Sequence, residues 1–436
     1  MAKKIKSFLK LKNSKKKLIE AKKIIPLASQ TFSRSYLFFD KNFFPLFIKK
    51  GFKQFVFDLD GNKYLDFISA LGSVSIGYGI NEINNVVFKN IKNGNCFSLS
   101  HPIEVEVAKK LIEIIPSAEM VRFGKNGTDV NSAAIRLARH YTKKDLIAVC
   151  GYHGWQDWYI ASTSMNSGIP KNFQKLVKKF NYNDIDSLKK ILKSKKCAAV
   201  IIEPLSYNLP NNNFLKKVRN LCDRYKSILI FDEICSGFRV SIGGAQKLYD
   251  VKPDISTFGK AMANGFPLAA IVGKKKIMTQ MNKIFYSGTF AGEISSLFAC
   301  YATINFMLKN KSITKNIKKG IFLKNAINKI IINNNLQDYI SLGGHATWLF
   351  LVVKQNNKVK SEFIKTYIRQ ELIKKKILFL GSFNITHSHN YKDLRKTIQE
   401  IEKIFSFLGK NLPYIRNFIH TELPKNIFEV RKPTKN

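Results

Sequence analysis

Short apolar runs punctuate the middle of the chain: EMVRF (119–123), DLIAVC (145–150), CAAVIIEP (197–204), SILIF (227–231) and PLAAIVG (267–273). Their continuous apolarity is what strands buried on both faces require. Between them the period changes to that of a helix, as at Ala134, Leu137, Ala138 and Tyr141, spaced i, i+3, i+4 and i+7. Alternating strand and helix predicts an α/β fold with a mostly parallel sheet covered by helices on both sides. Nearer the N-terminus, FVFDLDGNKYLDFISALGSVSIGYG (55–79) reads as two short strands joined by an Asp-Gly-Asn turn. Beyond about residue 305 the chain becomes helix-rich and lysine-rich, with one strand-like run, ATWLFLVV (346–353). The expectation is a large domain over 80–305 and a smaller α+β domain built from both chain ends, 1–79 and 306–436.

Composition narrows the partners. A hydrophobic content of 45% excludes a disordered chain. Lys+Arg of 73 against Asp+Glu of 30 gives a net charge of +43, which raises nucleic acid or an anionic membrane as a partner. The lysines are spread among many Asn and Ile residues, which reads as compositional bias and not as a binding stripe, so neither partner is expected. The densest basic run is the N-terminus, where ten of the first 23 residues are lysine; it reads as a solvated leader, frayed or weakly helical. No apolar stretch reaches the ~18 residues of a spanning helix, and the N-terminus lacks the apolar segment of a secretory signal. Six cysteines without CxxC or Cys/His spacing give neither a disulfide framework nor a metal site, which makes a reducing cytoplasm the simplest home.

Candidate chemistry gathers where strands end. In FGKNGTDVNSAAIRLARHY (123–141) a strand runs through a glycine-containing turn into an amphipathic helix. The N–H groups of Gly127 and Thr128, the threonine hydroxyl and the helix dipole suit a phosphate dianion, although an ordinary helix cap would look similar. After the strand ending at Cys150 comes GYHGWQDWYIAST (151–163), where Tyr152 can stack on a flat heteroaromatic ring and His153 can add a polar contact; core packing is the alternative for both. Glu203 closes one buried strand, and Asp232 and Glu233 close the next. Side chains alternate along a strand, so only one of that pair can face a ligand, and Asp232 is the choice. Twenty-eight positions on lies Lys260, in STFGKAMANGFPLAAIVG (256–273), after a polar turn and before a small-residue segment that can shield its amine. An amine able to form a Schiff base and an acid able to hold a pyridinium nitrogen protonated outline a pyridoxal phosphate site. Lys260 is then the natural proton shuttle between the substrate Cα and the cofactor's C4′.

YHGW, IIEP, FDEICSGFRVSIGGAQ, STFGKAMANGFPLAAIVG and SGTFAG, in this order and spacing, closely resemble class III pyridoxal phosphate aminotransferases, in particular the branch containing glutamate-1-semialdehyde 2,1-aminomutase. The resemblance runs from about residue 40 to about 310, and more faintly to 405. It implies the fold type I architecture and a homodimer with active sites at the subunit interface. It also implies Lys260 as the Schiff-base lysine, Asp232 as the pyridine partner, Ile234 under the ring, and Gly127 with Thr128 as the phosphate cup. By the same resemblance Tyr152 stacks on the other face, Glu203 lies near the cofactor's hydroxyl, and Thr289 reaches the neighbouring subunit's phosphate. Arg34 lies near where the aminomutase keeps an arginine for the substrate carboxylate, and Trp155 occupies a variable place near the site. The phosphate cup departs from the family wording, with Asn126 where serine is common and Asp129 where glutamate is common. The aminomutase's tryptophan and late glutamate are also absent, from SALGS (69–73) and LFLGSFNITHSH (378–389). The departures favour an aminotransferase over the mutase, which stays as the alternative; an amino-sugar aminotransferase and a basic nucleic-acid-binding protein on an inactive enzyme fold are weaker readings.

Overall fold

The computed structural model describes residues 9–423. The lysines of residues 1–8, part of the basic leader, lie outside them; the rest of the leader forms the helix Lys12–Ile24. The chain divides into two compact units, one of residues 9–71, 76–80 and 314–423, the other of 72–75 and 81–313. A boundary at 305 would cut the helix Ile294–Lys309, which the larger unit keeps whole.

The smaller unit opens with β1 (Ile48–Phe52), β2 (Phe55–Asp58) and β3 (Lys63–Asp66). β2 and β3 pair antiparallel across the Asp-Gly-Asn turn, where Asp58 Oδ1 accepts from the N–H groups of Asp60 and Asn62 and Gly61 takes φ 83°. The left-handed conformation there is open to glycine at little cost.

The larger unit is built on seven strands: β4 (Met120–Gly124), β5 (Leu146–Cys150), β6 (Val177–Lys179), β7 (Cys197–Ile202), β8 (Ile228–Asp232), β9 (Ile255–Phe258) and β10 (Ala269–Gly273). They lie in the order β4-β10-β9-β8-β7-β5-β6, parallel from β9 to β6, with β10 running against both of its neighbours. Every residue of β7 and β8 is buried. Their side chains alternate between two cores. Ala199, Ile201, Ile228 and Ile230 pack with Ala134, Leu137 and Ala138 of the helix Gly127–Thr142. Val200, Ile202, Leu229 and Phe231 pack instead with Leu188, Leu215 and Val218 of the opposite layer. This is the doubly covered sheet that the apolar runs predict, and Tyr141 packs at the margin of the first core.

The smaller unit then resumes with β11 (Ile340–His345), β12 (Trp348–Val353), β13 (Ile377–Leu378) and β14 (Ser382–Asn384). β11, β12 and β14 form an antiparallel sheet, while β13 joins β3 in parallel.

Candidate active site

The alternation along β8 decides which acid faces which layer. Ile228 and Ile230 belong to the core under the helix Gly127–Thr142, so Asp232, two residues on, emerges on that side. Its carboxylate is 3% exposed and fully engaged: Oδ2 meets His153 Nδ1 at 2.8 Å and accepts from Asn131 Nδ2 at 2.8 Å, while Oδ1 accepts from the Ile234 N–H. Donors fixed around a buried carboxylate hold its orientation. Glu233 points the other way, where it accepts from Ser236 Oγ and from the N–H groups of Ala245 and Gln246. Burial pushes its carboxyl upward, and its contacts make it a brace for the segment after β8.

Asn131 was not among the residues singled out from sequence. It sits one turn inside the helix, on the face shared by Val130 and Ala134, and its Oδ1 also accepts from Thr257 Oγ1 at 2.7 Å. An amide on an otherwise apolar buried face is the signal that could have found it. His153 is 1% exposed, and its Nε2 has no partner among the described residues.

At the helix N-terminus, Asp129 accepts from the Asn126 N–H at 2.8 Å. A carboxylate in the first turn suits the helix dipole, and aspartate does here what glutamate does in a capping box. A methyl at Gly127 would meet three carbons of Ile234 at 3.0–3.1 Å, and one at Gly259 would meet Ile234 Cδ1 at 3.2 Å. Ile234 therefore packs against both the helix start and the turn that carries Lys260. Thr128 is buried and its Oγ1 accepts from the Trp155 N–H at 3.3 Å; Gly154, at φ 106°, leaves room for that hydroxyl. Tyr152 is half-buried, edge-on to Tyr159, and its N–H donates to Glu203 Oε2 at 3.0 Å.

Lys260 opens a short 3₁₀ turn after β9 at φ 44°, a left-handed conformation costly for a residue with a side chain. Its Nζ lies 2.7 Å from Cys235 Sγ. Thus Gly127, Thr128, Asp232, Ile234, His153, Glu203 and Lys260 all sit at strand ends or helix starts of one unit. Trp155 is 67% exposed, and only its backbone joins this group. Thr289 is exposed and lines a cavity of about 370 Å³ with Lys125, Asp129, Ser132, Arg136 and Tyr286, a wall that includes neither Lys260 nor Asp232. Arg34 is exposed in the 3₁₀ turn Phe32–Arg34 of the smaller unit.

The chain is 37% identical over 418 residues to the 3-aminobutyryl-CoA aminotransferase of Cloacimonas acidaminovorans, covering 93% of this chain and 99% of the relative. It is 36% identical to the glutamate-1-semialdehyde 2,1-aminomutase of Wigglesworthia glossinidia brevipalpis, covering 91% and 99%. Among solved structures, the FumI protein of Sphingopyxis sp. MTA144 superposes with a TM-score of 0.85 at 23% identity, covering 94% and 99%, a likeness of fold. The glutamate-1-semialdehyde aminomutase of Pseudomonas aeruginosa PAO1 does so at 0.81 and 17%, covering 90% and 94%. Since a family model for aminotransferase class-III also matches residues 39–388, the chain belongs to the class III aminotransferases, enzymes of fold type I that work with pyridoxal phosphate.

Proposed function

We propose that this enzyme is a transaminase, with Lys260 as the residue that binds the cofactor covalently and moves the substrate proton. The carrying observation is the buried Asp232 carboxylate fixed by His153 and Asn131. The residues suit the cofactor part by part. Thr128 and the first N–H groups of the helix offer a seat for a dianion. Ile234, packed against Gly127 and Gly259, suits one face of a flat ring, and the half-exposed Tyr152 suits the other. Pyridoxal phosphate, when bound, supplies an electron sink for the carbon that bears the substrate nitrogen. Asp232 would hold a proton on the ring nitrogen, and Lys260 Nζ would take and return the proton at that substrate carbon. The donors on Asp232 keep its charge aimed at one place, and its burial keeps water from screening it.

Transamination is favoured over the mutase by the segment 378–389, in which Phe383, Asn384, Thr386 and His389 are buried and no acid occurs, and by Leu71 where the aminomutase has tryptophan. The substrate class proposed is a small β-amino acid or its acyl thioester, after the relative that acts on 3-aminobutyryl-CoA. A homodimer that shares its active sites is part of this reading, supported by the exposure of Phe285, Thr289 and Phe290 in one segment. Six free cysteines support a reducing cytoplasm, and no helix among the described residues is long and apolar enough to cross a membrane.

The test is the visible spectrum of purified protein with pyridoxal phosphate, for wild type and Lys260→Ala, followed by 3-aminobutyryl-CoA, free 3-aminobutyrate and glutamate-1-semialdehyde. A cofactor band lost in the variant, with a keto product from an amine donor, supports the proposal. δ-Aminolevulinate formed without a second substrate would make the enzyme a mutase, and no band in the wild type would remove Lys260 from its role.

A further inference from the structure

We propose that Asn264 and the segment Gly72–Ser75 form a clamp on the turn that carries Lys260, with Asn264 as a positioning residue for the lysine amine. Strain marks this turn. Lys260 opens it at φ 44°, and Asn264 caps it at φ 46° and ψ 45°. Two left-handed residues with side chains, only four positions apart, persist only where the surrounding structure over-determines them. Part of the support is local. Ala261, Met262 and Ala263 are fully buried between them, the Met262 N–H donates to the Gly259 carbonyl at 3.0 Å, and the Asn264 N–H reaches the Ala261 carbonyl at 3.4 Å.

The rest comes from a stretch of chain 189 positions away from Asn264. Residues Gly72–Ser75 belong to the larger unit, although the chain on either side of them belongs to the smaller one. Both ends of this short excursion are tied within the larger unit. At one end the Gly72 carbonyl accepts from Nη2 of Arg239, a buried side chain of the segment after β8. At the other end the Ser75 N–H donates to Asn264 Oδ1 at 3.1 Å, and Ser75 Oγ donates to the Ala261 carbonyl at 3.4 Å. Val74, buried between them, lies against Gly265, where φ is 100° and a methyl would meet Val74 Cγ2 at 3.3 Å. The excursion therefore touches the Lys260 turn and its exit at Ala261, Asn264 and Gly265.

Asparagine meets two demands at this position. It enters the left-handed region more readily than most residues with a side chain, and its carbonyl oxygen is the acceptor that ties the turn to Ser75. None of these contacts involves Lys260 Nζ, so cofactor-free and cofactor-loaded protein can both make them. The backbone angles at Lys260 set the direction in which its side chain leaves the turn. An amine reacts only from a narrow range of distances and angles, and a looser turn spends less time within it. The hold on the turn stands on the contacts alone; its effect on the amine rests on the role of Lys260 proposed above.

Asn264→Gly keeps the left-handed backbone at little cost and removes the side chain, whereas Asn264→Asp keeps an oxygen to accept the Ser75 N–H. Hydrogen–deuterium exchange of cofactor-free protein is followed in residues 260–266 and 72–76. In Asn264→Gly both stretches are expected to exchange about fivefold faster, the protection that one hydrogen bond contributes. Faster exchange in 260–266 alone would be the flexibility of the glycine itself and would overturn the clamp, as would no change in either stretch. The second readout is the rate at which the cofactor band appears when pyridoxal phosphate is mixed with cofactor-free protein. Asn264→Gly is expected to be about fivefold slower than wild type and Asn264→Asp within about twofold of it. An Asn264→Gly rate equal to wild type would leave a structural tie and overturn the positioning role, and an Asn264→Asp rate as slow as that of Asn264→Gly would overturn the oxygen as its agent. No band in wild type would sink the reading of Lys260 and the positioning role with it, while the exchange data would still decide the hold on the turn.

Discussion

Gly127→Ala tests whether Ile234 and the helix start form one wall of the cofactor site. The new methyl would lie 3.0–3.1 Å from three side-chain carbons of Ile234, inside the roughly 3.5–4.0 Å at which carbons attract. Two terms compete. Replacing glycine by alanine in a helix contributes about 0.5–1 kcal/mol, whereas overpacking a tight contact costs about 1–3 kcal/mol. Ile234 also lies against Gly259, where a methyl would meet its Cδ1 at 3.2 Å, next to the turn bearing Lys260. Taken at the middle of each range, the balance is about 1 kcal/mol against the cofactor-bound state, a dissociation constant roughly 5- to 10-fold weaker. Titration of the apoprotein with pyridoxal phosphate, followed by absorbance, reads this directly. Ile234→Ala removes the clashing carbons, so the double variant should bind more tightly than the sum of the single effects, with a coupling of about 1 kcal/mol or more. If Gly127→Ala binds like wild type, or if the two changes simply add, Ile234 does not press on the helix start and the wall is drawn wrongly.

Asn131→Leu removes one hydrogen bond to the Asp232 carboxylate and leaves Thr257 Oγ1 without its acceptor, and should lower stability by about 2–4 kcal/mol in urea unfolding; an unchanged midpoint would take Asn131 out of the site. Lys319 is buried, donates to the carbonyls of Thr386 and His387, and has its pKa lowered to about 8 by burial and by Lys315. Because its folded pKa lies below its unfolded value, the unfolded chain binds more protons between about pH 8 and 10.5, and stability from this group rises with pH across that window, by up to roughly 1 kcal/mol per pH unit. Lys319→Met should lose that rise, so the gap between wild-type and variant melting temperatures should shift in favour of wild type from pH 8 to pH 10; a constant gap would mean that the lysine is not held deprotonation-prone.

The strands were legible because burial on both faces leaves no polar register to disguise them, as in CAAVII and SILIF. The turn from β4 into the helix Gly127–Thr142 was legible because a strand, a glycine and an amphipathic helix follow one another within a few residues. What escaped depends on contacts distant in sequence. Asn131 binds a carboxylate 101 positions away, and no local pattern announces that. Cys235 reads as one of six scattered cysteines until the chain folds and sets it against an amine 25 residues on. Short pairings such as Ile377–Leu378 with β3 were equally hidden, since two residues carry no period.

The neighbouring acids Asp232 and Glu233 show how one residue of register gives two carboxylates partners from different parts of the chain. Both are buried, so exposure does not distinguish them. Glu233 has its acceptors taken up by N–H groups and a hydroxyl of the segment just downstream, at positions 236, 245 and 246. Such partners belong to the loop's own closure. Asp232 instead draws on His153 and Asn131, which come from the loop after β5 and from the helix after β4. Three chain segments are therefore spent on orienting a single carboxylate at the end of a buried strand. Fixing a negative charge in place beforehand is useful where a proton must be held on a bound ring, because no solvent or side chain then has to reorganise when the substrate carbon loses its own.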